Sequence, residues 1–71
     1  MTLDELVYQT RKKANLTQVQ LAELSGVGRT VIWDLEHGKR TVRLETLLKI
    51  LASLNIDLVA RSPISKEEMR L

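Results

Sequence analysis

Side chains able to bond to another molecule are concentrated on one face of the stretch from Arg29 to His37. At the helical spacing of about 100° per residue, the apolar residues Val31, Ile32 and Leu35 fall on one side of this stretch. The opposite side carries these polar and aromatic residues: Arg29, Thr30, Trp33, Asp34 and His37. The apolar side is enough to hold a helix in a fold, so we expect the other side to be available for recognition.

The residue types on this face suit the edges of DNA base pairs. Arg29 can donate two hydrogen bonds to O6 and N7 of guanine, and Thr30 can offer its methyl group to thymine or its hydroxyl to either edge. Trp33, the only Trp, either presses against a thymine methyl group or a sugar, or covers apolar surface at the domain edge. Asp34 either accepts from N4 of cytosine, or orients Arg29 and penalises wrong bases.

Two short helices and a tight turn are expected to position this face. Thr17 and Gln20 have the spacing of a capping box, which predicts a helix that starts near Thr17. Gly26 can adopt the positive φ with which that helix ends before the chain turns into the next one. A second helix that follows a Gly-containing turn and shows polar side chains from its N-terminal half is typical of helix-turn-helix proteins that bind the DNA major groove.

Positive charge lies on both sides of this unit, although the net charge of the chain is only +2. Arg11 to Lys13 closes the first predicted helix, where the cluster either faces DNA or complements the helix C-terminus. A second cluster follows His37 and is either a set of phosphate contacts or a solvated charge run. We predict phosphate contacts at these positions: Thr17, Gly28, Lys39, Arg40 and Arg43.

The remaining helical periodicities complete a mainly α-helical domain. Thr2 and Glu5 have capping-box spacing before a helix over about residues 3 to 13. A stripe of leucines predicts an amphipathic fourth helix over about residues 44 to 54, and we expect this stripe to be core. The stripe consists of Leu44, Leu47, Leu48, Leu51 and Leu54.

After Asn55 the apolar pattern alternates, which predicts a short strand formed by Ile56, Asp57, Leu58, Val59, Ala60 and Arg61. A lone strand cannot satisfy its own backbone groups, and we predict no other strand in the chain. We therefore expect the strand to pair with the same strand of a second copy in a homodimer. Residues 1 to 61 form the expected DNA-binding domain. Residues 62 to 71 form a short tail, in which Ser65 and Glu68 have capping-box spacing. The tail is too short for a stable isolated helix, so we expect either a frayed helix or a docking segment.

The stretch from Leu16 to Gly38, with LTQ, LA, the SGV turn and I..LE.G, resembles the Cro and phage-repressor-type helix-turn-helix family, also called the XRE family. With Asn55 to Arg61 added, the chain is similar to the small HipB-type and y4mF-type regulators. The resemblance implies a four-helix repressor-type domain with a dimerisation strand, and a repressor that binds a palindromic operator in double-stranded DNA. HipB-type relatives also act as antitoxins of a HipA-like kinase toxin, so such a partner is a further expectation.

The resemblance also implies roles for single residues. Gln18 is the characteristic Gln of this family at the start of helix two, where its amide reaches a phosphate or a nearby base. Arg29 and Thr30 occupy the positions of helix three that contact bases in the family. Arg11 corresponds to an Arg that pairs with a Glu at the end of helix three, and that Glu is Glu36 in this chain.

Composition argues against several other classes of protein. The chain has no Cys and one His, so we expect no disulfide, no metal site and no cofactor. The chain has no Cys, no paired acids in a visible pocket context and no Gly-rich phosphate loop of the required spacing, so we do not expect an enzyme. No apolar run approaches a membrane span, and the acidic start MTLDEL favours a cytoplasmic protein, at the nucleoid when bound to DNA. The alternative function is a protein-binding module, toxin-neutralising or coactivator-like, with weak or no specific DNA binding.

Overall fold

The computed structural model describes residues 1–71, and its secondary structure begins with four α-helices. They are α1 (Leu3–Lys13), α2 (Gln18–Ser25), α3 (Arg29–Glu36) and α4 (Leu44–Ser53). Two antiparallel strands follow, β1 (Val59–Ser62) and β2 (Glu67–Arg70). The predicted mainly helical fold is therefore confirmed. None of the helices has the length and apolar character of a membrane span.

Local signals in the sequence set the helix boundaries. The hydroxyl of Thr17 accepts from the backbone N–H of Gln20 at 3.0 Å, and the Gln20 side chain accepts from the Thr17 N–H at 2.8 Å, so the predicted capping box starts α2. Gly26 ends α2 with φ of +73°. Asn15 and Asn55 follow α1 and α4 with φ of 58° and 57°, a conformation that Asn tolerates better than most residues.

One small hydrophobic core holds the four helices together. Helix α2 packs against both α3 and α4, and α1 packs against α3. The buried apolar residues come from all four helices and the end of α4: Val7, Leu21, Ala22, Ile32, Leu35, Leu47, Ile50, Leu51 and Leu54. The core therefore fixes the orientation of α3, and with it the direction in which the opposite face of α3 points.

The leucine stripe predicted for α4 is only partly core. Leu47, Leu51 and Leu54 are buried, but Leu44 is 54% exposed. Helical side chains lean toward the N-terminus, so Leu44, in the first position of α4, projects beyond the end of the helix. Ile50 is fully buried in the core, although the predicted stripe did not include it.

The strand after α4 differs from the prediction. It begins at Val59 instead of Ile56, and it pairs with β2 of the same chain. In this pairing Val59 lies opposite Arg70, and Ser62 lies opposite Glu67. The prediction that the chain contains no second strand is therefore wrong. Once β1 has an internal partner, dimerisation is no longer required to satisfy its backbone groups, and a homodimer needs separate support.

The tail, expected to be either a frayed helix or a docking segment, forms the turn and second strand of this hairpin. The backbone N–H of Ser65 donates to the Ser62 hydroxyl at 3.2 Å, and Lys66 adopts a φ of 59° that carries the chain back on itself. Met69 and Leu71 then alternate with charged residues, which is the period of a strand. The capping-box spacing of Ser65 and Glu68 obscured this short alternation.

The hairpin extends away from the helices. Among residues 56 to 71, only Ile56 and Leu58 pack against the hydrophobic core. The hairpin closes on itself where the N–H of Leu71 donates to the carbonyl oxygen of Leu58 at 2.7 Å. The molecule consequently measures 40 × 24 × 21 Å, which is elongated for its length.

Candidate nucleic-acid interface

The outward face of α3 carries four of the five candidate base contacts. Arg29, Thr30 and Trp33 are exposed and Asp34 is partly exposed. Ile32, on the opposite face, is fully buried in the core and holds the helix in this orientation. Because the buried and exposed faces are set by one helical period, the structure brings these four side chains to a single accessible surface.

The N-terminus of α3 is open to an anion. Gly28 is the N-cap with φ of −72°, and no side chain bonds to the first N–H groups of the helix. A Cβ atom built on Gly28 would meet nothing within 4 Å, so a ligand can approach the backbone closely. Uncapped N–H groups and the helix dipole give this end partial positive charge, which favours a phosphate.

A shallow depression joins the N-terminal ends of α2 and α3 on this side of the molecule. It has a volume of about 460 Å³, and its lining includes Lys12, Thr17, Gln18 and Arg29. Lys12 and Arg29 bring positive charge to its rim, while Thr17 and Gln18 present polar groups from the capped start of α2. The depression thus links the first basic cluster to the face of α3.

Gln18 connects this surface to the interior. It is partly exposed, and its Nε2 donates to Oε1 of Glu36 at 3.2 Å. A primary amide has two N–H donors and an acceptor oxygen, so this one bond leaves Gln18 able to bind another molecule. Sequence reasoning did not find the bond to Glu36, because nothing local indicates a contact between residues 18 positions apart.

A buried ion pair ties α1 to the end of α3. Arg11 Nε donates to Glu36 Oε2 at 2.7 Å and Nη2 donates to Oε1 at 2.9 Å, while Nη1 donates to the carbonyl oxygen of Leu16 at 2.8 Å. The two side chains are 7% and 2% exposed. The hydrogen bonds to Glu36 raise the pKa of Arg11 above its ordinary value, against the opposing effect of burial. This is the pair that the family resemblance implies, and Glu36 also holds Gln18.

The second basic cluster, Lys39, Arg40 and Arg43, is exposed after α3. Lys39 Nζ lies 3.3 Å from Asp34 Oδ2, so Asp34 pairs with Lys39 rather than with Arg29. Arg40 lies near Asp4, whose pKa is lowered chiefly by a hydrogen bond from the Thr2 hydroxyl and to a smaller extent by the charge of Arg40. All three cations remain accessible for phosphate contacts.

Trp33 forms a stacked pair with His37 on the same face. The ring centroids are 3.7 Å apart and the planes differ by 15°. His37 Nδ1 also lies 2.7 Å from the carbonyl oxygen of Trp33, and the indole is 49% exposed. Sequence reasoning placed His37 on this face without a role. The spacing of four residues, which brings helical side chains together, is the signal that could have assigned one.

The residues predicted for a dimerisation strand belong to the hairpin segment and not to this surface. Ile56, Asp57 and Leu58 precede β1, and only Val59, Ala60 and Arg61 are part of it. His, Asp and Glu side chains form no group of three or more that could hold a metal ion. The candidate interface therefore consists of the exposed face of α3, the start of α2 and the basic cluster after α3.

Comparison with known proteins identifies this arrangement. Residues 7–60 match the model of the helix-turn-helix family HTH_3. The chain is 44% identical over 57 residues to the uncharacterized HTH-type transcriptional regulator y4mF of Sinorhizobium fredii, a match covering 78% of this chain and 75% of that protein. Across the regulators that it matches in sequence, the chain spans between 46% and 75% of their length.

Solved structures show the same likeness. The structure of a HipB–O2 20mer complex superposes with a TM-score of 0.74 at 26% identity, covering 86% of this chain and 85% of that one. The structure of SinR, a master regulator for biofilm formation, in complex with DNA superposes with a TM-score of 0.69 at 25% identity, covering 78% and 89%. This chain has the DNA-binding fold of such transcriptional regulators and belongs to the HTH_3 helix-turn-helix family.

Proposed function

We propose that this chain is a homodimeric, sequence-specific repressor that binds a palindromic operator through α3. The observation that carries the proposal is the meeting of exposed Arg29 and Thr30 with the open helix N-terminus at Gly28 on one surface. The side chains of Arg29 and Thr30 can bond to base edges, and an open helix N-terminus can bind the phosphate backbone. DNA recognition needs both kinds of contact, one for sequence and one for position.

The proposal divides the interface into two sets of residues. The base contacts are Gln18, Arg29, Thr30, Trp33 and Asp34. The phosphate contacts are Thr17, Gly28, Lys39, Arg40 and Arg43. Each cation that neutralises a phosphate steepens the dependence of log affinity on log salt concentration by about 0.9. The basic residues of the second set therefore govern the salt dependence, and the first set governs the choice of sequence.

The homodimer is supported by the free edge of β1. Leu71 donates to the carbonyl oxygen of Leu58, and backbone groups along an antiparallel strand alternate between its two edges. Ala60 therefore faces β2, while the N–H and C=O groups of Val59 and Arg61 lie on the outer edge. Pairing of this edge with β1 of a second copy about a twofold axis gives a four-stranded sheet.

The apolar face of the hairpin also favours association. Cross-strand partners share a face, so Leu58, Ala60, Met69 and Leu71 lie on the same side of the hairpin. Met69 is 60% exposed and Leu71 is 47% exposed. An isolated two-stranded hairpin is marginally stable in water, and a second copy removes this apolar surface from solvent.

Selection of bound duplexes from a random DNA pool at near-physiological salt tests the DNA-binding proposal. We expect enrichment of an inverted repeat with half-sites about 34 to 36 Å apart, the spacing that suits a dimer with two recognition helices. Against the selected duplex, Arg29→Ala should weaken binding by roughly 5- to 150-fold, the equivalent of one bidentate base contact. Lys49→Ala removes the same charge from an exposed position on α4 and serves as the control.

The control separates base recognition from general attraction. Lys49→Ala should change affinity less than about twofold, since Lys49 lies outside the proposed interface and its exposed charge acts only through screened attraction. Equal losses for the two variants would show that Arg29 contributes charge alone. Failure to enrich any sequence would leave a protein partner as the better candidate.

A proline on the outer edge of β1 tests the homodimer. Arg61→Pro removes an outward N–H, a substitution that an edge strand tolerates, and Arg61→Ala removes the same side chain but keeps the N–H. We expect Arg61→Pro alone to shift the protein toward monomer in sedimentation velocity at micromolar concentration and to weaken binding to the full repeat. A monomeric parent protein, both free and on DNA, would contradict the dimer.

The resemblance to HipB-type regulators implies a second candidate function, neutralisation of a HipA-like kinase toxin by the same chain, and the structural likeness to HipB supports that resemblance. Arg29→Ala combined with Thr30→Ala separates the two activities, because these residues lie on the DNA-binding face in our proposal. We expect the double variant to lose operator binding and to keep binding to a kinase encoded beside its gene, measured by co-purification. The absence of any such kinase gene would remove this second candidate and leave the regulator.

A further inference from the structure

We propose that His37 is a positioning residue of the DNA interface, which holds the indole of Trp33 in one orientation so that the two stacked rings contact DNA as a unit. The inference rests on the proposed function, because it assigns the stack a use within the DNA-binding surface. Both residues are exposed and neither belongs to the hydrophobic core. A stack of two exposed rings therefore contributes mainly to how the surface meets a ligand.

Two independent contacts fix the imidazole. Its ring lies 3.7 Å from the indole with the planes only 15° apart, and its Nδ1 lies 2.7 Å from the carbonyl oxygen of Trp33. A carbonyl oxygen only accepts, so Nδ1 carries the proton of this bond and Nε2 is left for solvent or a ligand. The backbone of α3 thereby anchors the imidazole, and the imidazole covers one face of the indole.

Neighbouring charges do not compete for His37. Asp34 pairs with Lys39 at 3.3 Å, and Glu36 is engaged by Arg11 at 2.7 Å. The only hydrogen bond of the His37 side chain is the one to the carbonyl oxygen of Trp33. The orientation of the imidazole is therefore set by Trp33 and α3 rather than by a nearby carboxylate.

The stack is aligned with the principal candidate base contact. Arg29, Trp33 and His37 are spaced by four residues and so lie along one stripe of the helix and its C-cap. Trp33 is central in this stripe and 49% exposed. A ring that is already oriented loses less freedom on binding than a mobile one, so removal of the imidazole should weaken binding through the indole.

Tryptophan fluorescence of the free protein tests the geometry, since Trp33 is the only Trp. His37→Ala should lower the fluorescence anisotropy, because the indole loses the ring stacked on it and gains freedom. His37→Phe keeps an aromatic ring and should preserve the anisotropy of the parent. Unchanged anisotropy in His37→Ala, with helical content verified by circular dichroism, would overturn the proposal.

Operator affinity tests the function of the stack. His37→Ala should weaken binding by about three- to tenfold, and His37→Phe should restore affinity to within about twofold of the parent. In a Trp33→Ala background, His37→Ala should have no further effect, because the imidazole acts through the indole. Equal losses with and without Trp33, or no rescue by Phe, would overturn the positioning role while leaving DNA binding intact. A parent protein that binds no specific DNA would instead overturn the proposed function together with this inference.

Discussion

The helical body, formed by α1 to α4, and the C-terminal hairpin bury their apolar side chains to different extents. In the body, Val7, Leu21, Ile32 and Ile50 come from four different helices and are fully buried together. In the hairpin, no residue of β1 or β2 is buried. The body is therefore complete as a folding unit, whereas the hairpin presents backbone edges and apolar side chains that its own chain does not cover.

The two regions also contain two ion pairs of opposite character. Arg11 and Glu36 are almost completely buried in the body, and Arg70 and Asp57 in the hairpin segment are 72% and 63% exposed. Water screens an exposed pair, but a buried charge that loses its partner keeps the full cost of burial. An ion pair should thus contribute much more to the free energy of unfolding in the body than in the hairpin.

The largest expected effect is the loss of the buried pair. Arg11→Ala should lower the free energy of unfolding by roughly 3 to 5 kcal/mol, because Glu36 is left as a buried charge without its partner. Arg70→Ala should cost about 1 kcal/mol or less. Thermal and urea unfolding followed by circular dichroism measures both, at a concentration where the protein is monomeric.

Lys12→Ala is the control on the same helix. It removes an exposed positive charge next to Arg11 and should change stability by no more than about 0.5 kcal/mol. Equal melting temperatures for Arg11→Ala and Lys12→Ala would show that the pair contributes nothing to the body. The buried ion pair of the body would then stabilise the protein no more than the exposed pair of the hairpin.

A smaller contrast is expected for apolar truncation. Leu51→Ala empties a site that is 1% exposed and should cost about 2 to 5 kcal/mol. Met69→Ala truncates a side chain that is 60% exposed and should change monomer stability by about 0.5 kcal/mol or less. Urea unfolding measures these values, and sedimentation velocity should show weaker association for Met69→Ala alone. A large loss of monomer stability in Met69→Ala would mean that the hairpin is an integral part of the body.

The difference between the regions explains how far the fold could be predicted from sequence. The helix boundaries were predictable because Thr17, Gln20 and Gly26 act through bonds to their immediate neighbours, and such bonds leave a short signature in the sequence. The second strand was not predictable, because four residues of alternation are outweighed by the capping-box spacing of Ser65 and Glu68. A short hairpin with no buried residue in either strand lacks the long periodic pattern that marks a core.

The candidate interface was predictable to a similar degree. The side chains that face outward on α3 follow from one helical period, so Arg29 and Thr30 could be chosen without a structure. The bond from Gln18 to Glu36 joins distant parts of the chain and could not be found in this way. The stack of Trp33 on His37 was predictable only in part. The sequence shows the spacing of four residues but not the parallel arrangement of the two rings.

The smallest changes in stability are expected at the two turns, each of which holds a residue at positive φ. The body uses Gly26 at +73°, and the hairpin uses Lys66 at 59°. Gly26→Ala should cost about 1 kcal/mol through conformational strain alone, since a Cβ there meets nothing within 4 Å. Gly28→Ser, at an ordinary φ of −72° and an uncapped helix start, is the control and should gain a few tenths of a kcal/mol, roughly the value of a weak N-cap.

In the hairpin the expected sign is reversed. Lys66→Gly removes a side chain from the left-handed region and should stabilise the turn by roughly 0.5 to 1 kcal/mol. Because the hairpin is separate from the core, this gain should appear as slower amide exchange in β1 and β2 by NMR, with little change in exchange within α1 to α4. A uniform change across the whole chain would show that hairpin and body unfold as one unit, and the exposed edge of β1 would then be as rigid as the helices that carry the interface.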